Sequence, residues 1–582
     1  TGTGTASAST IGADTSGNTN HFTSSGIVAS DCAMPDSPEN NFCTINPLDK
    51  STDFTLSEGN LKVSSGGSNT GNSRSTFAVS SGKWYWEARV NTTGTAHTIG
   101  ITTKSASLST YLGNHANDYA YARDGTKWNN NSSSSYGSSY ANGDNIGIAL
   151  DLDAGTLTFY KNGSSQGTAF SSLSGEFFPA FGDIAGADDI NWIANFGQDS
   201  TFAGAISAGG NADGNGIGDF QYMPSGYLAL CTSNLPEPTI SPNALTQADE
   251  YFNTVLWTGD GQTTQNVTGV GFQPDWTWIK ERSSSSGHVL ADSSRGYDKY
   301  LASNETIDEG TGVLNSVLSD GFQTTNSGAT NQSSQTYVAW NWKANGGVAT
   351  ASGSESGNNP AHSVQANPTS GFSIVTYTGT GGTGTIAHGL GALPNMIIIK
   401  NRDRDINWLV YHRNLSATNA YLHLENTNAE ATNNAFFSNS GHSTTTFSIG
   451  NSNHTNADGE ALIAYCFAEI EGYSKFGSYT GNGSTDGTFV YTGFRPAFIM
   501  TKRTDTTGNW FLYDNKRDIN NVSAQVLIPN LSNAEVTGAT AGLDILSNGI
   551  KIRGNNPAFN ASGGTYIYMA FAENPFKYAN AR

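Results

Sequence analysis

One pattern occurs three times in the chain: Phe272-Gln-Pro-Asp-Trp-Thr-Trp-Ile-Lys-Glu-Arg282, Leu393-Pro-Asn-Met-Ile-Ile-Ile-Lys-Asn-Arg402 and Phe494-Arg-Pro-Ala-Phe-Ile-Met-Thr-Lys-Arg503. A proline is followed six residues later by a lysine, with an apolar run between: Pro274 to Lys280, Pro394 to Lys400, Pro496 to Lys502. The prolines lie 120 (394 − 274) and then 102 (496 − 394) residues apart. Solenoid repeats run to roughly 20–50 residues, so these are repeats of domain size.

Two further blocks recur with the marker. An opening strand and glycine turn precede it, Leu256-Trp-Thr-Gly-Asp-Gly261, Tyr377-Thr-Gly-Thr-Gly381 and Tyr479-Thr-Gly-Asn-Gly483. A closing strand ends each copy, Tyr337-Val-Ala-Trp-Asn-Trp342, Leu462-Ile-Ala-Tyr-Cys-Phe467 and Tyr566-Ile-Tyr-Met-Ala-Phe571. The marker run is apolar on both alternating faces, the pattern of a central strand covered on both sides. Its proline sits at the strand's entrance, where no ladder donor is lost. The lysine and arginine are expected to end the strand at the surface, with Asp292 or Asp514 of the next segment as a partner; the second copy has His412 there.

Composition agrees with an all-β chain. Only 13% of residues are charged, 68 are glycine and 11% are aromatic, against about 25% charged in an average soluble protein. No window supplies three clean turns of an amphipathic helix. The net charge of −20 argues against nucleic acid as a partner, since phosphate binding needs clustered Lys and Arg. No apolar run reaches the roughly 18 residues of a membrane span, so membrane insertion is not expected. The chain starts at Thr1 without a signal-peptide pattern and reads as processed or as part of a longer one. Four cysteines, with no Cys-x-x-Cys pair, read as buried free thiols; no metal site is expected.

The 582 residues divide as follows. Residues 1–35 are a Thr/Ser/Gly/Asn-rich arm or the remnant of a preceding domain, 36–232 a β-sandwich, and 233–250 a proline-spaced linker. Residues 251–348 form the first repeat, 349–370 a second linker rich in Ser, Gly and Asn, 371–477 the second repeat and 478–582 the third. Within 36–232, strands alternate with turns such as Ala154-Gly155 and Asn162-Gly163, the punctuation of an antiparallel sandwich. The order Gly82-Lys-Trp-Tyr-Trp-Glu87, Ile99-Gly-Ile101, Asp124-Gly125, Leu150-Asp151, Gly155-Thr-Leu-Thr-Phe-Tyr-Lys-Asn-Gly163, Phe178-Pro-Ala180 and Asn195-Phe-Gly197 resembles a SPRY domain over most of residues 45–200. That resemblance implies a bent sandwich of two antiparallel sheets whose loops bind protein or other ligands, without catalysis, and chain ends that bring Cys43 and Cys231 near each other. The fold expected is multidomain all-β, a SPRY-like antiparallel sandwich followed by three related β-sandwich repeats.

Candidate chemistry is sparse. Gly379-Thr-Gly-Gly-Thr-Gly384 lacks the following helix that a phosphate loop needs and reads as a β-turn. Asp151 and Asp153 fit hairpin polarity, and Asp183, Asp188 and Asp189 a solvated acidic loop, although paired carboxylates can also hold calcium. His412 and His423 have no ligand spacing, and no Ser-His-Asp order or GxSxG elbow stands out. The stretch Lys127-Trp-Asn-Asn-Asn-Ser-Ser-Ser-Ser-Tyr-Gly-Ser-Ser-Tyr140 combines stacking faces with adaptable polar groups. Trp128, Tyr136 and Tyr140 are therefore the candidate ligand-binding residues; the competing reading puts Trp128 and Tyr140 in the sandwich core.

A SPRY-like module followed by Gly-x-Pro…Lys repeats and ending in Ala572-Glu-Asn-Pro-Phe-Lys577 resembles the tail-fibre-like structural proteins of marine bacteriophages over residues 36–582. The resemblance implies a virion protein exposed on the particle surface as a tail or capsid appendage. Its implied partners are other virion proteins and a host surface receptor or glycan; its implied state is a homo-oligomer such as a trimer, although no coiled-coil heptad specifies three chains. Neither catalytic residues nor a cofactor comes with it. The alternatives are a capsid decoration or head fibre with a purely structural role and, less favoured, a polysaccharide-degrading tail spike.

Overall fold

The computed structural model describes residues 40–66, 70–184, 190–240 and 246–575. The N-terminal arm, Cys32, Asp188, Asp189, Pro242 and the end of the chain from Phe576 lie outside the described residues. Strands account for 43% of residues and helix for 3%, so the chain is all-β. It divides into two compact units, broken near Pro236 and Glu237.

The first unit is a sandwich of two sheets, antiparallel apart from the short strand Leu228–Ala229, which pairs parallel with Lys83–Val90. One orders its strands Ile45–Lys50, Gly71–Ser75, Phe178–Asp183, His97–Thr102, Tyr119–Ala122, Thr126–Asn129 and Ser132–Ser135. The other runs Ser164–Phe170, Thr156–Lys161, Asn145–Asp151, Lys83–Val90, Asn191–Asn195, Lys62–Ser65 and Phe54–Ser57. Lys83–Val90 is central and covered on both faces: Trp84, Trp86 and Ala88 are buried on one, and Tyr85 and Glu87 on the other. Asp151 pairs with Lys83 at 2.9 Å, and Asp153 accepts the Gly82 N–H, so both carboxylates tie off strand ends. Asp183 is buried and accepts from the Ser65 hydroxyl at 2.8 Å. Cys43 and Cys231 are buried free thiols, and Phe42, next to Cys43, bridges Cys231.

In the second unit every repeat builds the same four-stranded sheet, ordered opening strand, closing strand, marker strand, return strand. The first uses Phe252–Thr258, Thr336–Trp342, Trp276–Glu281 and Val289–Asp292. The second uses Phe372–Thr378, Ala461–Phe467, Met396–Asn401 and Leu409–His412. The third uses Ser474–Thr480, Thr565–Pro575, Phe494–Arg503 and Trp510–Asp514. The marker is thus an interior strand in all three. Each sheet packs its outer face on a smaller one, as where Val255, Ile279 and Ala339 meet Val267, Leu314 and Phe322.

The inner faces of the three sheets share one core. Trp342, Phe467 and Phe571 occupy equivalent closing-strand positions, and their rings form a triangle with centroid separations of 6.5, 5.7 and 6.0 Å. Backbone bonds at the rim run cyclically: the Glu309 N–H donates to Arg402 O at 2.8 Å, Glu430 to Thr504 O at 2.9 Å and Glu535 to Arg282 O at 2.8 Å. Side chains close the same cycle in the opposite sense, Trp408 Nε1 donating to Ala302 O, Trp510 Nε1 to His423 O and His288 Nε2 to Ile528 O. The three repeats close into a ring.

Four expectations are corrected. Lys280, Lys400 and Lys502 do not end their strands at the surface; all three are buried. Each ammonium folds back onto the carbonyl of the next residue, at 2.6, 2.9 and 2.7 Å. Asp292 and Asp514 pair not with the marker cations but with Arg295 and Arg517, three residues on, at 2.5 Å each. The stretch 349–370 is not a bare linker: Ala351–Gly353 and Ala361–Asn367 form two strands that extend the second repeat's sheet beyond its opening strand. The third repeat's opening strand also begins at Ser474, ahead of the expected Ser478.

The glycine turn after each opening strand is held by one buried asparagine. A single helical turn ends at Asn331, Asn456 or Asn560, five residues before its closing strand. The side-chain oxygen accepts from Asp260, Thr380 or Asn482 N at 2.9, 2.8 and 2.9 Å. A Cβ on Gly259, Gly379 or Gly481 would lie 2.3, 2.0 or 2.4 Å from a carbonyl of the segment that carries this asparagine. This close approach explains the recurrent glycine and leaves no phosphate cradle in Gly379–Gly384.

Candidate binding surface

Residues 126–135, most of the stretch singled out as a contact surface, form a β-hairpin at one edge of the first unit. Thr126–Asn129 pairs with Ser132–Ser135 in continuous register. Asn130 and Asn131, at φ 52° and 55°, make the two-residue turn, the left-handed pair that a type I′ hairpin requires and asparagine tolerates.

Trp128 lies on the outer face of its sheet rather than in the sandwich core. Its indole, partly buried, packs beside Leu112 and Ala120 and meets the Tyr111 ring edge-on at 5.7 Å. Its N–H donates to the Thr126 hydroxyl at 2.9 Å, which draws the ring along the hairpin. Tyr111 bonds Asn131 through its hydroxyl, tying the neighbouring loop to the turn. Tyr136 sits on the opposite face. Its hydroxyl donates to Gly167 O and accepts from Phe159 N, and Lys127 lies 5.8 Å from its ring centroid.

Tyr140 is not a surface residue. It is 3% exposed, and its hydroxyl bonds His97 O and Tyr121 O at 3.1 and 3.0 Å; burial pushes its phenol well above the usual range. Of the candidates, the structure therefore leaves Trp128 and Tyr136 partly exposed on the two faces of one hairpin and places Tyr140 in the core. Tyr111 and Asn131 join Trp128; the Asn-Asn pair before the serine run was the signal that would have placed them.

A second feature of this unit is a clasp. Glu87 is buried and accepts the consecutive N–H groups of Gln221 and Tyr222 at 2.9 and 2.7 Å, with the Tyr85 hydroxyl at 3.2 Å. Burial pushes its carboxyl up to about 7 against these donors, which pull it down. The clasp holds the segment around Phe220 on the outer side of the central strand. His412 and His423 serve structure too: His412 lies 3.2 Å from Tyr568 O and His423 bonds Trp408 O. Among the described residues, no three His, Cys, Asp or Glu side chains converge as metal ligands do.

The two antiparallel sheets and their order define a SPRY sandwich, and the SPRY domain model matches residues 83–187. A second family model, described as a domain of unknown function (DUF7483), matches residues 247–575, more than half of the chain. The chain belongs to the DUF7483 family.

Curated proteins are similar to part of the chain. An E3 ubiquitin-protein ligase, RKP, of Arabidopsis thaliana is 34% identical over 112 residues, 19% of this chain and 8% of that protein. Ran-binding protein 9 of Xenopus tropicalis is 30% identical over 164 residues, 26% of this chain and 30% of that protein. An ATP-dependent RNA helicase, DDX1, of Xenopus laevis is 30% identical over 156 residues, 27% and 21%. The chain thus spans less than a third of the length of these relatives. Among solved structures, the SPRY domain of human HERC1 is 18% identical with a TM-score of 0.22, covering 27% of this chain and 95% of that one. The TRIM65 PSpry domain is 19% identical with a TM-score of 0.23, covering 26% and 92%.

Proposed function

We propose that the chain is a non-enzymatic binding protein, in which the SPRY sandwich recognises another macromolecule and the three-repeat ring is a rigid body that carries it. The observation that carries this reading is the Trp128 hairpin, an aromatic and amide surface displayed at the edge of a sandwich whose family binds proteins. The ring supports it by what its ionisable groups do: Asp292, Asp514, Glu309 and Glu535 are committed to ion pairs between and within repeats.

The particular setting that the sequence resemblance implies is a bacteriophage tail fibre or similar appendage whose exposed loops contact a receptor or glycan on the host surface. Two measurements test the two levels. Binding of the purified chain to host cells, reduced by Trp128→Ala, supports recognition; no binding by the intact chain refutes it. Antibody labelling of intact particles in electron micrographs tests the setting: label at the tail tip supports attachment, label on the capsid favours decoration, and unlabelled particles refute a virion role.

A further inference from the structure

A sheet edge exposes a row of backbone donors and acceptors, and folded chains ordinarily obstruct it with charge, proline, bulges or covering segments. This chain does so at several of its edges. In the first unit, the Ile45–Lys50 edge carries Pro47 and Lys50 and an irregular register. The Ser164–Phe170 edge is broken by two register shifts and has Gly167 at φ +85°. The Phe54–Ser57 edge is four residues long, between Asp53 and Glu58. In the ring, the second repeat's opening strand is covered by Ala361–Asn367. At the equivalent position of the others, the Thr254 N–H is taken by the Asn253 side chain and the Phe476 N–H by the Glu469 carboxylate, at 2.9 and 3.0 Å.

Ser132–Ser135 is as short as Phe54–Ser57, but it carries no charge, proline or bulge of its own. All four side chains are small, uncharged and exposed, and the register to Thr126–Asn129 is unbroken. Because the hairpin turns on two residues, Asn129 with Ser132 and Lys127 with Ser134 are the pairs that exchange backbone bonds. The N–H and C=O of Ser133 and Ser135 therefore point away from the hairpin, and no described residue meets them. Ser133 stands directly opposite Trp128 and shares its face, so a side chain on a strand laid beside Ser133 would reach across the serine to the indole.

We propose that Ser132–Ser135 is a strand-addition site, which takes an extended, basic segment of a partner protein through the backbone of Ser133 and Ser135, with an apolar side chain of that segment against Trp128. This rests on the reading of the first unit as a recognition module and names the form its ligand takes. Area and charge select the occupant. Two copies paired edge to edge would bury little beyond four serines a side, far below the roughly 1,200 Å² of a stable interface, and each copy carries a net charge of −20. A basic strand is drawn by that field and needs only the backbone bonds and the indole.

The test uses the full chain and a fluorescently labelled, capped seven-residue peptide that alternates lysine with valine or tyrosine, with a glutamate-for-lysine peptide as comparison. Anisotropy should show the basic peptide binding at least tenfold more tightly than the acidic one. Ser133→Pro and Ser135→Pro delete outward donors without touching the hairpin's own bonds, and each should weaken binding tenfold or more. Ser134→Ala should leave it unchanged; an unchanged melting temperature checks that the proline variants fold. Absence of binding to millimolar peptide, equal binding by the proline variants, or no preference for the basic peptide each overturns the proposal. Dimerisation abolished by Ser133→Pro would make the occupant a second copy and also overturn it. Host-cell binding that survives Ser133→Pro would sink this proposal while leaving the proposed function standing.

Discussion

The indole N–H of Trp340, in the first repeat, donates to the carboxylate of Asp514, in the third, at 3.0 Å, across the junction where the ring closes. Arg517 holds the same carboxylate and passes on to Glu535, which Arg282 of the first repeat also grips. The junction between the first and second repeats is built alike, with the Tyr465 hydroxyl on Asp292 at 2.7 Å and the chain Arg295–Glu309–Arg402. Removing Asp514 strands a buried guanidinium and an indole donor together. Asp514→Ala should cost about 3–5 kcal/mol, and Trp340→Phe about 1–3 kcal/mol, both read as a shifted denaturation midpoint.

The third junction is different, and the difference is concerted. His412 replaces the aspartate, Leu415 the first arginine, Thr504 the second, and Met569 the donor that faces it. His412 alone suits Met569, because it reaches the Tyr568 carbonyl instead of a side chain. His412→Asp by itself should therefore destabilise the unit by roughly 2 kcal/mol or more, as an unpaired buried charge does. Adding Leu415→Arg and Met569→Tyr should recover much of that loss, a non-additivity that a mutant cycle in urea measures.

Burial pushes Lys280, Lys400 and Lys502 each down to about 8. Between about pH 8 and the unfolded value of 10.5 the unfolded chain holds more protons at these sites, so their contribution to stability is full above 10.5 and lost as pH falls through 8. Buried tyrosines such as Tyr513, pushed well above 10, act the other way at the alkaline end. The ring's midpoint should thus rise between pH 8 and 10, and Lys400→Met should flatten the rise.

Glu87 predicts the opposite slope for the sandwich. Its carboxyl is raised to about 7 by burial, so the folded unit binds the proton more tightly than the unfolded chain. The stabilisation is full below about pH 4.5 and lost as pH rises through 7. Glu87→Gln should remove this dependence in thermal melts between pH 5 and 8.

Asn456→Ala should leave Thr380 N and Gly382 O without their partner and cost about 1–3 kcal/mol. Gly379→Ala should cost at least as much, because its Cβ would fall 2.0 Å from Ala457 O. Denaturant titration of the two variants checks both.

Strand content and the repeats were legible because they are local. The marker run shows its two apolar faces, and bulky residues such as Trp342 and Phe571 recur at the same place within each closing strand. The buried lysines were misread because a charge at a strand's end resembles a surface residue unless its own next carbonyl is known to satisfy it. Residues 349–370 were misread because only Val364 and Ala366 mark the alternation inside a polar composition. Ring closure was invisible for a third reason: Arg282 and Glu535 stand 253 positions apart, and no local period relates them. At the hairpin, the serine run shows no apolar alternation, and only the Asn130-Asn131 turn marks it as a strand.

The cyclic order of the rim bonds sets copy number. A stack of repeats can gain or lose a member at its end and merely change length, whereas here every repeat is both giver and receiver, and the first receives what the third gives. A fourth copy would have to break the Glu535–Arg282 contact to enter, and a chain with two would leave Trp342 and one of its phenylalanine partners facing water. Duplication and deletion, the easiest changes for repetitive genes, are therefore closed to this unit, and its variation has to come from substitutions and from loops on its rim.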